Sequence, residues 1–426
     1  MTIPERRATV VLVARDGTVL GRLPEYPVAT PWWQEAQPVV EGARDRFGLE
    51  IVVLRLLDTE LPRPQGGGVT YLAEAHGHIP PDAAPRLSPF DGPLDDDPLR
   101  LRWASPGGPA MDLAWAEGVL RHRHLERVGP AAQLRSWNLS SIWRLPLRDG
   151  AAWLKVVPPF FAHEGDILRS LQGGPVPRLL GHDGDRIVLA DIPGSDRYDA
   201  GLGELLEMVS LLVDLQAAWI GRTDQLRSIG LPDWSAPMLT AGIVDVVERC
   251  APTLSTAVLD VLLGFIAGLP ARLDAIASCG FPDTIVHGDF HPGNVRGGVD
   301  LRGEDGEDGG GGGGGGGSRK HPLTLLDWGD CGVGNPLLDQ PAFLDRIPPE
   351  TRATVRDHWA GAWRRHLPAC DPAEAGRLVA PVAAARLAVV YQRFLDHIEP
   401  SERRYHAEDV TEWLARTADL ASEAPA

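Results

Sequence analysis

Two stretches decide how this 426-residue chain is read: Ile285-Val286-His287-Gly288-Asp289-Phe290-His291-Pro292-Gly293-Asn294-Val295, and Leu323-Thr324-Leu325-Leu326-Asp327-Trp328-Gly329-Asp330. Each is a short apolar run that reads as a buried strand delivering polar residues at its end. Asp289 and Asn294 lie five apart on one loop, and Asp327 follows the second strand. Together they offer oxygen ligands suited to Mg²⁺ and a carboxylate able to orient or deprotonate a hydroxyl. Those are the parts phosphoryl transfer requires. Between the stretches lies a segment, residues 303–320, with nine consecutive glycines at 309–317. It cannot pack and reads as a flexible insertion at a hairpin turn, where added length costs little entropy.

Outward from this centre the chain divides into three parts. At roughly 150 residues per domain the length suggests two or three domains. Residues 1–128 alternate strand-like runs with turns: Ala8 to Ala14, Val19-Leu20, Ile51 to Leu57 and Gly68 to Ala75. A helix over Gln37 to Phe47 stops at Gly48, a left-handed cap, and a second lies near Met111 to Arg123. Residues 129–193 read as a strand meander with one helix near His163 to Leu171. Residues 194–426 are mainly helical, with Asp371 as N-cap, Pro372 at the first position and Glu374 three after the cap opening a long helix.

Composition narrows the function. The 43% hydrophobic and 23% charged residues are those of a globular protein. With 41 basic against 58 acidic residues, the net charge of −17 argues against nucleic acid, whose affinity rests on Lys and Arg at phosphates, and favours a neutral or cationic partner. Cys250, Cys279, Cys331 and Cys370 are far apart, so neither a zinc site nor a disulfide framework is expected, and a reducing compartment is. No apolar run reaches the ~18 residues of a membrane helix, which predicts a cytoplasmic protein. Only two of the 41 basic residues are lysines, Lys155 and Lys320, leaving 41 − 2 = 39 arginines. A lysine in the apolar run Trp153-Leu154-Lys155-Val156-Val157 marks a place that needs a compact ammonium.

The order His287-Gly288-Asp289, Asn294, then Asp327-Trp328-Gly329 resembles the catalytic and metal-binding motifs of the aminoglycoside phosphotransferase family, small-molecule kinases of protein-kinase-like fold. The resemblance covers about residues 129–426. It implies an α+β, bilobal fold with a β-rich small lobe (129–193) and a helical large lobe (194–426), and ATP and Mg²⁺ as cofactors. Carried over, Asp289 is the catalytic base, Asn294 and Asp327 the magnesium ligands, and His287 a support of the loop. Lys155 holds the α/β-phosphates with Glu164 as its ion-pair partner. The segment Val188 to Pro193, including Asp191 and Ile192, offers backbone groups to adenine, and Asp339 matches an aspartate that steadies the core. The phosphate-covering loop, Trp137-Asn138-Leu139-Ser140-Ser141, departs from the family in having no glycine, so Ser140 and Ser141 are the expected phosphate contacts. No Ala-Pro-Glu segment follows Asp327, which argues for a small-molecule hydroxyl as acceptor. Residues 1–128 resemble a Nudix domain more weakly, through Pro31-Trp32-Trp33 and the helix ending Arg44-Asp45-Arg46-Phe47-Gly48. Gly42 and Arg46 stand where acids are expected, so a non-catalytic module is predicted. Two other readings remain: a silent nucleotide-binding module, and a kinase-like domain fused to a working Nudix-type hydrolase.

Overall fold

The computed structural model describes residues 3–77, 86–299 and 320–423, and the architecture is α+β. The glycine-rich insertion expected at 303–320 lies, apart from Lys320, outside the described residues. Two compact units are formed, one of residues 1–165, 179–191 and 388–412, the other of 166–178, 192–387 and 413–426.

The first unit holds two sheets. In the N-terminal one, β1 (Arg6–Val13) pairs antiparallel with β2 (Val19–Arg22) and β3 (Tyr26–Val28), and α1 (Gln37–Phe47) leads into β4 (Glu50–Thr59) and β5 (Gly67–His76). The order is β2-β1-β5-β4, with β1 and β5 parallel. Helix α1 ends where its sequence says it should: Gly48 takes φ +65° and its N–H closes on the carbonyls of Ala43 and Arg44. Gly42 is demanded by its neighbour, since a Cβ there would stand 2.6 Å from Cε2 of Tyr26. The acids left on the helix are Glu41 and Asp45. Among the described residues no group of three His, Cys, Asp or Glu side chains is disposed to hold a metal ion.

Strand β1 explains how this sheet relates to the next. Val10 to Val13 are all buried, so alternate residues serve two cores. Val10 and Leu12 pack with Val39, Ala43 and Phe47 of α1. Val11 and Val13 share a second core with Leu120 of α2 (Gly108–His122) and with the small-lobe sheet. That sheet comprises β6 (Ala132–Trp137), β7 (Ser140–Leu147) and β8 (Gly150–Val156), then, after α3 (Glu164–Ser170), β9 (Leu179–Asp183) and β10 (Arg186–Ala190), in the order β6-β7-β8-β10-β9. Trp143, Leu145, Leu154 and Val188 are its contribution to the common core.

A distant segment is built into the same unit. Glu402, 3% exposed, accepts the Leu56 N–H at 2.6 Å, while its own carbonyl accepts from Asn138 Nδ2 at 3.0 Å. Glu399 meets Arg100 at 3.1 Å and Arg55 at 3.6 Å. Burial, with the nearby Glu399 carboxylate, pushes the Glu402 carboxyl up to about 8 against the pull of the Leu56 N–H and Arg55.

The second unit contains β11 (Ser195–Asp196), α4 (Leu202–Ala218), α5 (Thr223–Ser228), β12 (Asp233–Trp234), α6 (Ala236–Cys250), α7 (Thr256–Ser278), β13 (Thr284–Val286), β14 (Val295–Val299), β15 (Lys320–Leu325), β16 (Gly332–Gly334), α8 (Gln340–Asp345) and α9 (Arg352–His366). Helices α10 (Pro372–His397) and α11 (Asp409–Glu423) complete the chain. Helix α4 buries Leu205, Met208, Val209, Leu212 and Val213 and packs against α9, whose Val355, Trp359 and Trp363 face inward. Two three-stranded sheets, β11-β14-β15 and β12-β16-β13, carry the loops at the centre of the unit. All four cysteines are buried and none is joined in a disulfide. Helices α7 and α10 are long and apolar enough to cross a membrane by length and composition, with mean hydropathies of 1.6 and 1.4; in α10 most of that stretch is buried in the fold.

Two outcomes follow from the shared core and the buried glutamate. A chain lacking residues 1–128 exposes Leu145, Leu154 and Val188 to water, at a cost of about 2–3 kcal/mol for each large side chain, and is expected to lose cooperative unfolding of the first unit in circular dichroism melts. Between the unfolded value of an ordinary glutamate and about 8, the folded state holds a proton on Glu402 that the unfolded state has released, so stability falls as pH rises through that window. Glu402→Gln keeps an acceptor for Leu56 and should flatten the decline in melting temperature between pH 6 and pH 8; an unchanged slope would assign the decline elsewhere.

Candidate functional site

The loop after β13 is held from beneath by one carboxylate. Asp339, 1% exposed, accepts the backbone N–H groups of Gly288 on Oδ1 and His287 on Oδ2, both at 2.8 Å, and Gln216 Nε2 at 2.9 Å. Burial raises its carboxyl to about 6, opposed by those N–H groups and by the Arg386 guanidinium. Arg386, 2% exposed, donates to the Gly288 carbonyl at 2.9 Å. Gly288 has φ +92°, and a Cβ there would lie 2.0 Å from the Asp330 carbonyl oxygen, so only glycine fits. His287 is fully buried, held near 4 by that burial and therefore neutral; its Nε2 donates to the Leu326 carbonyl at 2.8 Å and its ring lies 4.5 Å from that of Trp328.

Above this base the acidic and amide groups converge. Asn294 Nδ2 donates to the Asp289 carbonyl at 2.9 Å and to Asp289 Oδ2 at 3.1 Å. Strands β14 and β15 pair Val295 with Leu325, and the Leu326 N–H donates to the Asn294 carbonyl at 2.7 Å. The hairpin thus brings Asn294 and Asp327 to one end although 33 positions separate them in sequence. Asp327 has φ +59°, a left-handed conformation uncommon outside glycine and concentrated at functional sites. Asp289 is about a third exposed, with His291 Nε2 at 3.5 Å and Arg346 at 3.6 Å. Burial pushes its carboxyl upward, but the His291 hydrogen bond and the charges of His291 and Arg346 outweigh this and hold it well below the usual range. It is a carboxylate at neutral pH. An amide oxygen from Asn294 and a carboxylate from Asp327 are hard oxygen donors, a set that fits Mg²⁺.

The first unit carries the expected lysine pair. Lys155, on β8 opposite Ile142 and Ile187, meets Glu164 Oε1 at 2.8 Å, with the two side chains 12% and 2% exposed. Ser140 and Ser141 begin β7 directly after a two-residue turn, and both are buried. Their hydroxyl oxygens accept the indole N–H groups of Trp137 and Trp143, each at 3.0 Å, which leaves each only its hydroxyl proton for a further acceptor. Asp191 Oδ1 accepts from Trp153 Nε1 at 2.7 Å. In the second unit, the Ile192 carbonyl accepts from Arg296 Nε at 2.8 Å. The sequence reading missed Arg386, Arg346 and Gln216, which no local motif marks. His291, an ordinary loop residue by its sequence, accepts the Gly293 N–H on Nδ1 at 3.0 Å.

Residues 140–297 match the model of a family described as the phosphotransferase enzyme family. No curated protein sequence matches. Among solved structures, the chain is similar to the GDP complex of aminoglycoside 2'-phosphotransferase-IIIa, with 14% identity over 73% of this chain and 99% of that one and a TM-score of 0.49. It is similar to macrolide 2'-phosphotransferase from Brachybacterium faecium, with 16% identity over 69% and 98% and a TM-score of 0.45. A choline/ethanolamine kinase family protein from Mesorhizobium loti is similar at 15% identity over 74% and 100%, with a TM-score of 0.43.

Replacing Asp339 by Ala strands two backbone N–H groups and the buried Arg386. Removing one partner of such a buried network costs about 3–5 kcal/mol, so the unfolding midpoint should drop by roughly 5 °C or more in a thermal melt. Asp339→Asn, which keeps one acceptor oxygen, should fall between.

Proposed function

We propose that this chain, whose residues 140–297 match the model of the phosphotransferase enzyme family, transfers the γ-phosphoryl group of ATP to a hydroxyl group of a small molecule. The observation that carries the reading is the junction of Asp289, Asn294 and Asp327: an ionised carboxylate fixed by an amide, beside a hairpin end that supplies hard oxygen donors. Asp289 receives the acceptor's hydroxyl through a hydrogen bond, aligns its oxygen for in-line attack and takes its proton as the bond to phosphorus forms. Asn294 and Asp327 hold magnesium, which when bound neutralises charge on the phosphates. Lys155, kept in place by Glu164, binds the α/β-phosphates, and the backbone at Asp191 and Ile192 takes the base. Ser140 and Ser141 contribute at most their hydroxyl protons to the phosphates. His287 stays neutral and structural. For the acceptor we favour an amino sugar, an amino alcohol or an aminoglycoside, since a net charge of −17 draws cations.

The test is release of ADP from ATP and Mg²⁺, with GTP in parallel, across aminoglycosides, amino sugars, amino alcohols and nucleosides. At least one acceptor should stimulate turnover, and Asp289→Asn should reduce it about 100- to 10,000-fold with nucleotide binding intact. Tight nucleotide binding without stimulated turnover by any acceptor would instead favour a silent binding module.

A further inference from the structure

The second unit contains a cavity of about 510 Å³ formed by α8, α9, α10 and α11, a volume typical of small-molecule sites. Its chemistry runs against the composition of the chain. Arg352, Arg356, Arg377 and Arg416 line it, with Asp345 and Glu423 as the acids. In a protein of net charge −17 the cavity lining is therefore positive, 4 − 2 = +2. Two of the arginines are only partly engaged by their neighbours. Arg416 stands 3.7 Å from Asp345, and Arg352 donates to the Asp345 and Ile347 carbonyls at 3.2 and 3.4 Å. Arg377 is paired with Glu374 at 2.7 Å on the exposed face of α10. Arg356 is exposed and has no ion-pair partner among the described residues.

A second, independent feature lies on the wall of the same cavity. Gln340 is 4% exposed, lines the cavity, and its side-chain amide makes no hydrogen bond among the described residues. Its Oε1 lies 2.8 Å from where a Cβ on Gly376 would be, so the glycine in α10 is what makes room for the carboxamide. Its amide N–H groups are donors that an oxyanion bound in the cavity would engage. The cavity floor between these polar groups is apolar and small, formed by Pro341, Leu344, Ala380 and Leu420.

We propose that this cavity is a binding site for a small organic anion bearing phosphate or carboxylate groups, held by Arg356, Arg377 and Arg416 and by the Gln340 amide. Guanidinium forks match both oxyanions in bidentate geometry, and the volume admits a molecule several times larger than phosphate itself. The site goes beyond the phosphotransferase reading: it uses none of the residues assigned to nucleotide, metal or acceptor hydroxyl.

Isothermal titration calorimetry on the full chain, with inorganic phosphate and citrate as separate probes at constant ionic strength, tests the proposal. Saturable binding of at least one probe is expected, and which one binds tells phosphate recognition from carboxylate recognition. Arg356→Ala combined with Arg377→Ala, and Arg416→Ala alone, each change exposed side chains and should weaken it at least about tenfold, while Lys155→Met should leave it as in the wild type. Loss in Lys155→Met with retention in the arginine variants would place the anion at the nucleotide site and overturn the proposal. Binding of neither probe at about 10 mM would overturn it as well. Because the readout needs no turnover, failure here is distinguishable from failure of the phosphotransferase reading.

Discussion

A single buried carboxylate organises the loop that carries Asp289 and Asn294. Asp339 takes the N–H groups of both His287 and Gly288, and Arg386 donates to the carbonyl of Gly288. A loop so anchored cannot relax without leaving polar groups stranded away from water. Everything above depends on it: the sharp passage at Gly288, the direction in which Asp289 leaves the strand, and the reach of Asn294 back to that side chain. Neutral His287 then ties the loop to the carbonyl that precedes Asp327. The result is a chemical contrast within a few residues. One aspartate is held ionised beside Arg346 and His291, and another is raised by burial and used as a strut.

The first unit makes a different point about how domains are delimited. Sequence punctuation separates residues 1–128 from the strands that follow. Strand β1 nevertheless buries both of its faces, and the side facing away from α1 shares a core with the small-lobe sheet. Residues near Glu402 close the same unit through the Leu56 N–H and Asn138. The N-terminal module is thus part of the scaffold that carries Lys155, which gives it a structural role whatever the ancestry of its fold.

Much of this was legible in sequence where the signal is local. Helix α1 with its glycine cap stands at the residues the pattern names, and so does the hairpin bringing Asn294 to Asp327. The pairing of Lys155 with Glu164 was read through resemblance and a lysine-poor composition, and the 2.8 Å contact is there. What escaped is non-local. Arg386 lies 98 positions from the glycine it supports, and its helix shows only an apolar pattern. Helices α5 and α8, six residues each, are too short for a period to emerge. The sequence names Ser140 and Ser141 as the expected phosphate contacts but does not show that their hydroxyl oxygens also accept indole N–H groups. Tryptophans three before and two after them in sequence carried that information, but only the strand register makes it visible.

The central claim is that the Asp289 carboxylate directs a phosphoryl group from nucleotide to a hydroxyl. Phosphorus-31 NMR of full-length protein with ATP, Mg²⁺ and a stimulating acceptor observes the bond itself. The account predicts a new phosphate-monoester resonance growing as the γ-phosphate signal declines, and growth slowed at least about 100-fold with Asp289→Asn. Growth of inorganic phosphate alone, or a monoester formed equally by the variant, would contradict it.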